Sequence, residues 1–249
     1  MKKILGTLTA ILFLTNCATV SKKNEERAQM QMQLGIGYLQ SQKYPEALTA
    51  IQEALKLNNQ DYQIHNNLGL AYYGLSKWQK AKYHFEVAIQ LKKDFPQGLN
   101  NLCSTYNQLG EYEKAIEACK QALAIDTYAT PEFARTNLGI SLTQLRRYRE
   151  AQNNFEVALK KRPQFCQAIK EFGKMEYDQK NFKDAVSKFK QVLKLCPMHQ
   201  ESHYRLGLSF FYLGEKRKSA RVFQEFVQKF PNSDYSKPTR QYLKLLTKK

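Results

Sequence analysis

Glycine and proline are scarce in this 249-residue chain, at 11 and 7 residues, too few for a collagen-like or disordered protein. Long apolar runs are scarcer still. The longest, Ile4 to Leu14, has eleven residues, short of the roughly 20 that span a bilayer as a helix. With a mean hydropathy of -0.60, a polytopic membrane protein is excluded. Histidine is limited to His65, His84, His199 and His203, and no Ser, Cys or acid stands at a spacing that completes a triad or an acid pair. Neither an enzyme nor a cofactor is expected. Acidic residues are short as well: 22 Asp and Glu against 39 Lys and Arg leave a formal charge of +17. The excess is uneven, with 14 basic and 11 acidic residues through position 131, and 25 and 11 from 132 onward.

Aromatic residues are plentiful, with 15 Tyr and 14 Phe, and their spacing organises the chain. Within residues 62–95, Leu68, Gly69, Tyr72, Ala81, Phe85 and Ala88 fall at positions 7, 8, 11, 20, 24 and 27 of a 34-residue unit. That pattern resembles the tetratricopeptide repeat. The resemblance implies two antiparallel helices in closest approach at the small residues, with the larger apolar side chains filling the space around them. One such pair cannot bury its own apolar face, so copies must stack. Stepping by 34, with two extra residues before Glu132, gives six repeats. Position 8 reads Gly35, Gly69, Cys103, Gly139, Gly173 and Gly207; position 24 reads Ile51, Phe85, Cys119, Phe155, Phe189 and Phe223. The second helix opens at position 17 with Tyr44, Trp78, Tyr112, Tyr148, Phe182 and Lys216. Leu34 occupies position 7 of the first repeat. Past Pro231, Tyr242, Leu243, Leu245 and Leu246 recur at helical spacing and predict a capping helix. The expected fold is all-α: a right-handed tetratricopeptide-repeat solenoid of six helix pairs over residues 28–233, capped by residues 234–249.

Residues 1–16 carry Lys2, Lys3 and the short apolar run, followed by Cys17. This segment resembles a bacterial lipoprotein signal peptide, in which cleavage leaves Cys17 to be lipidated with palmitate. Ala18, where an Asp favours inner-membrane retention, implies an outer-membrane lipoprotein on the periplasmic face. Residues 17–27 then form a lipidated tether which, extended, reaches roughly 35 Å. A strongly basic chain ordinarily suggests nucleic acid, but an exported one rarely meets it. Anionic lipid, cell-wall polymer or an acidic protein fits that compartment better, and nucleic acid is not an expected partner.

Cys166 opens the first helix of the fifth repeat and Cys196 closes its second, placing both at one end of an antiparallel pair, where a disulfide can form. The same cysteines with His199 and His203 form an alternative zinc set on spacing alone, disfavoured by an oxidising compartment, so no metal is expected. Cys103 and Cys119 face each other across the third repeat, and two small apolar core residues are the favoured reading over a disulfide. The first helices of a tetratricopeptide array line its concave side. In the first three repeats the lining positions hold Met32, Ile36, Leu39, Asn66, Leu70, Tyr73, Asn100, Ser104 and Asn107, an apolar groove with amide and hydroxyl groups that suits a peptide. Part of that apolar content also suits packing against the next repeat. Arg146, Arg147, Arg149, Lys180, Lys183, Lys216, Arg217 and Lys218 fall at the turns within repeats four to six. They form a basic edge, read as solvated surface or as a docking edge for an anionic surface.

One segment goes beyond generic repeats. Leu99-Asn100-Asn101 opens the third repeat, and Tyr128-Ala129-Thr130-Pro131 leads into the fourth, followed by Ala134, Asn137 and Gly139. Together with six repeats, a lipobox and Phe230-Pro231-Asn232-Ser233, this resembles the pilotin family of type IV pilus biogenesis lipoproteins, PilF or PilW. Two cysteines that bridge repeats in some members are matched here by Asn107 and Ser141, so that bridge cannot form. The resemblance implies a monomeric, non-enzymatic assembly factor that binds the pilus secretin and assists its outer-membrane localisation and multimerisation. A scaffold for other envelope machinery, in outer-membrane protein insertion or cell-wall enzyme positioning, is the alternative.

Overall fold

Position 17 of each repeat marks a helix start to the residue. The computed structural model describes the backbone of residues 5–247 and the side chains of residues 22–246. Among the described residues it holds thirteen α-helices and no strand. The second helices are α2 (Tyr44–Leu57), α4 (Trp78–Leu91), α6 (Tyr112–Leu123), α8 (Tyr148–Lys161), α10 (Phe182–Leu195) and α12 (Lys216–Lys229). The first helices are α1 (Leu5–Gln40), α3 (Tyr62–Gly74), α5 (Pro96–Leu109), α7 (Pro131–Gln144), α9 (Cys166–Asp178) and α11 (Gln200–Tyr212), and α13 (Ser236–Thr247) follows.

Each first helix stops by the same device. The residue at position 15 turns left-handed, and the next N–H reaches back to the carbonyl at position 11, as in Lys77 to Tyr72 and Arg147 to Leu142, at 2.9 and 2.8 Å. Gly110 and Gly214 take the left-handed position at φ +74° without a Cβ penalty, whereas Gln42, Ser76, Arg146 and Lys180 enter it at φ 56–64°. The helix starts are mostly set by other means than side-chain caps. Pro45, Pro96 and Pro131 sit in first turns, where their missing N–H costs nothing.

The helices of a pair meet where position 8 lies under position 24. A Cβ placed on Gly69 would come within 2.4 Å of the Phe85 ring, so glycine is required there by the close approach. Gly139 on Phe155 and Gly207 on Phe223 repeat the arrangement. The four rings Phe85, Phe155, Phe189 and Phe223 are fully buried, each contributing about 2–3 kcal/mol of apolar burial. In the third repeat a disulfide, Cys103–Cys119, replaces the Gly/Phe pair, with the Cα atoms 5.4 Å apart. The reading of these cysteines as unbonded core residues is therefore corrected. The same close approach that excludes a Cβ under a phenyl ring brings two Cβ-bearing cysteines within bonding reach.

The chain divides into two compact bodies, one ending at Tyr128 and one beginning at Ala129. In the N-terminal body, α1 to α6 form three pairs. One core cluster joins Ala28, Met32, Ala47, Ile51 and Ala54 of the first pair to Ile64, Leu68 and Ala71 of α3. The next joins Tyr72, Ala81 and Phe85 to Leu102. Positions 3 and 7 of α3, Ile64 and Leu68, thus bury against the preceding pair, as does Leu102 at position 7 of α5. Leu34, at position 7 of the first pair, has no described pair before it and is 48% exposed, against 1% for Leu68.

The C-terminal body stacks α7 to α12 as three further pairs. Phe165 and Ala168 pack on Ala158, and Leu206 and Phe210 pack on Ala185, Val186 and Phe189. Its last pair is covered by α13, whose Tyr242 lies against Phe211 and Phe223. The cap helix begins at Ser236, within the expected residues 234–249. Leu245, expected to help cover the core, instead points outward at 60% exposure.

Residues 22–27 are helical, inside α1. A helix rises about 1.5 Å per residue, so a helical segment over 18–27 spans roughly 15 Å rather than the 35 Å of an extended tether. The side chain of Cys17 and the leader side chains lie outside those described.

Candidate functional site

In the N-terminal body the first helices α1, α3 and α5 pack side by side. Eight of the nine residues expected to line their common face are half-buried: Ile36, Leu39, Asn66, Leu70, Tyr73, Asn100, Ser104 and Asn107. Met32 is not among them. At 2% exposure it belongs to the core of the first two pairs, because its unbranched side chain can fold down into the space between them. Ile36 and Leu39 flank that core, and Leu70 and Tyr73 flank the next one. Each apolar side chain of the face therefore divides its surface between packing and exposure.

Polar groups on this face are held by one another. The Tyr73 hydroxyl is 2.8 Å from Ser104 Oγ, tying α3 to α5, and its ring lies edge-on to Trp78 at 4.8 Å. Asn101 Nδ2 donates to Asn66 Oδ1 at 3.0 Å. Asn101 was not in the expected set. Its place in the site follows from the side-by-side packing of α3 and α5, and the only sequence signal was its presence in the Leu99-Asn100-Asn101 segment. The result is a face of fixed amides and a hydroxyl between apolar side chains, with no charged residue among the eight. Such a surface can pair with peptide N–H and C=O groups and accept apolar side chains.

Beneath the same body, His65 and His84 join α3 to α4 with their Nδ1 atoms 3.2 Å apart. His65 Nε2 faces the Asn59 carbonyl at 3.2 Å. A carbonyl only accepts, so Nε2 carries the proton of neutral His65, and its Nδ1 accepts from His84 Nδ1–H. Burial pushes His84 down to about 4, and the neighbouring His65 adds to the effect. Burial also lowers His65, against the opposing pull of the Asn59 carbonyl and Asp61.

In the C-terminal body all eight residues of the basic edge are exposed. Arg147 is held by Glu150 through two hydrogen bonds of 2.7 Å, and Lys218 pairs with Glu215. The inner face here differs from that of the N-terminal body. Lys170, Lys174 and Arg205 interleave with Glu171 and Glu201, and this network satisfies most of its own charge.

Cys166 and Cys196 form a disulfide with Cα atoms 6.6 Å apart, as their position at one end of the pair allows. The zinc alternative is thereby overturned, since both thiols are consumed. Its histidines are also committed locally: His199 Nδ1 accepts from the Ser202 N–H at 3.2 Å, and His203 Nε2 donates to the Pro197 carbonyl at 2.9 Å. Among the described residues no group of three or more His, Cys, Asp or Glu is arranged to hold a metal ion.

Tetratricopeptide repeat family models match residues 37–76, 96–126, 136–197 and 201–233; such repeats are as a rule scaffolds for protein interaction. No curated protein matches the chain. Among solved structures, the chain is similar to PilW, described as a widely conserved type IV pilus biogenesis factor, at 22% identity and a TM-score of 0.78 over 89% of this chain and 98% of that one. It is similar to pilF of Pseudomonas aeruginosa at 18% identity and a TM-score of 0.71, over 88% and 99%. Similarity to a chain of the APC/C hetero-tetramer Cut9–Hcn1 reaches a TM-score of 0.78 at 17% identity, over 94% of this chain and 46% of that one. At these identities the likeness establishes the fold. No described helix is long and apolar enough to cross a membrane.

Proposed function

The chain is a tetratricopeptide-repeat protein, and on that premise we propose that it is a lipid-anchored assembly factor of the outer membrane. It holds a segment of the type IV pilus secretin on the inner face of its N-terminal body while the secretin multimerises. The observation that carries this reading is the uncharged face of α1, α3 and α5, where Asn66, Asn101, Tyr73 and Ser104 are fixed by mutual hydrogen bonds beside Ile36, Leu39 and Leu70. Preorganised amides reduce the ordering cost of taking up a peptide. The similarity to PilW and pilF, both near full length, supports a role in pilus biogenesis. Two disulfides support an oxidising compartment, in keeping with export and with lipid on Cys17.

The test is capture of the purified secretin by the anchored chain. Ser104→Arg places a long side chain across the face while leaving the apolar packing in place, and is expected to weaken capture at least tenfold with helix content unchanged. Leu70→Asp is expected to act in the same direction. Unaltered capture by a folded Ser104→Arg protein refutes the assignment of the face, and intact secretin multimers and pili in a strain lacking the protein refute the assembly role. Cys17→Ser is expected to abolish palmitate labelling and to release the protein from outer-membrane fractions.

A further inference from the structure

The two bodies differ in charge at the turn from first to second helix together with the opening of the second helix. At this position in the N-terminal body, Lys43, Lys77, Lys80 and Lys114 are offset by Glu46, Glu111 and Glu113. In the C-terminal body eight cations stand against Glu150, Asp184 and Glu215. Two of the three acids are spent on Arg147 and Lys218. Arg146, Arg149, Lys180, Lys183, Lys216 and Arg217 remain exposed, with no carboxylate at ion-pair distance among the described residues. Because the pairs stack in register, Arg149, Lys183 and Arg217 occupy the same second position of α8, α10 and α12. They recur once per helix pair along one edge of the body.

We propose that this row is a docking edge for anionic phospholipid headgroups. An acidic protein partner of comparable affinity needs fitted pockets beside its charges; beside its cations the row carries the exposed Tyr212, stacked on Phe182 next to Lys183, and aromatic side chains also suit the headgroup level of a membrane. A fluid lipid surface needs no fitted pocket, since its headgroups move laterally to meet whatever spacing the cations present. The edge goes beyond the peptide-binding face of the other body, and it draws only its membrane setting from the proposed function. It adds an electrostatic attachment to the one proposed at Cys17.

The experiment uses the full chain carrying Cys17→Ser, so that no added lipid contributes, and co-sedimentation with vesicles of phosphatidylglycerol mixed into phosphatidylcholine. Binding is expected to require the anionic lipid and to be lost at high salt, where the screening length falls to about 3 Å. The row variant Arg149→Gln, Lys183→Gln, Arg217→Gln is expected to weaken binding on the order of a hundredfold, from roughly fivefold per cation at the surface. The control Lys160→Gln, Lys161→Gln, Lys194→Gln removes the same charge from exposed sites at the far ends of the second helices and is expected to change binding less than threefold. Equal losses in the two variants would show that net charge alone acts and would overturn the proposal. So would equal binding to pure phosphatidylcholine, and so would polyglutamate binding as tight as that of the vesicles, which would assign the row to an acidic protein. None of these outcomes depends on secretin capture, so failure here and failure of the proposed function remain separable.

Discussion

The Cys103–Cys119 disulfide sits where the other repeats place a Gly/Phe or Gly/Ile pair, which makes its replacement a quantitative test of how the repeats are built. Both cysteines are fully buried, and the bond closes a loop with a sequence separation of 16. Chain-entropy arguments assign a loop of that size about 3 kcal/mol of stabilisation. Cys103→Ala with Cys119→Ala loses that amount and also leaves a void, for a further 1–2 kcal/mol or so. Cys103→Gly with Cys119→Phe also loses the cross-link but restores the pair seen at Gly69 and Phe85, so its loss should stay near 3 kcal/mol. For a body of this size roughly 3–5 °C accompanies each kcal/mol. The Gly/Phe protein should therefore melt about 10 °C below the parent and the Ala/Ala protein some 5 °C lower again. Circular dichroism melts in non-reducing buffer read both values. Cys166→Ala with Cys196→Ala, in the other body, serves as the control that should leave the N-terminal transition in place. If the Gly/Phe protein is no more stable than the Ala/Ala protein, positions 8 and 24 are not an interchangeable packing pair and the reasoning fails.

Under native conditions dithiothreitol should open Cys166–Cys196, whose residues are half-buried, well before the fully buried Cys103–Cys119; alkylation and peptide mass mapping read the order, and the reverse order refutes it. Gly69→Ala should cost about 1–3 kcal/mol by overpacking the Phe85 ring, with Phe85→Leu recovering part of it in a urea titration of the double variant. Ser76→Gly, at a left-handed backbone position, should raise stability by about 0.5–1 kcal/mol, and a lowered melting point would contradict the turn geometry. The histidine pair makes the N-terminal body acid-sensitive. His84 has its folded pKa depressed to about 4, so the unfolded chain binds its proton more readily, and stability falls as pH drops from roughly 6.5 toward 4. After allowance for partial solvent screening the loss is about 1–2 kcal/mol, and His84→Gln should shrink the difference between urea midpoints at pH 7 and pH 5.

The 34-residue register by itself determined the helix pairs, because it counts backbone turns. Position 17 placed all six second-helix starts, and the small residues at positions 8 and 20 placed the contacts within pairs. The inner face was legible for the same reason: helical periodicity puts Asn66, Leu70 and Tyr73 on one side of α3. What needed tertiary structure depends on distances across pairs, which spacing alone does not supply. Cys103 and Cys119 are linked because the pair approaches most closely there. Asn101 joins the face because α5 lies against α3, and Met32 leaves it because the core between two pairs takes up its side chain. Leu34 carries a core position in sequence and a surface position in space, since burial at position 7 requires a pair before it. The basic residues were countable from sequence, but only the stacking of the helix pairs turns Arg149, Lys183 and Arg217 from a local excess into a row.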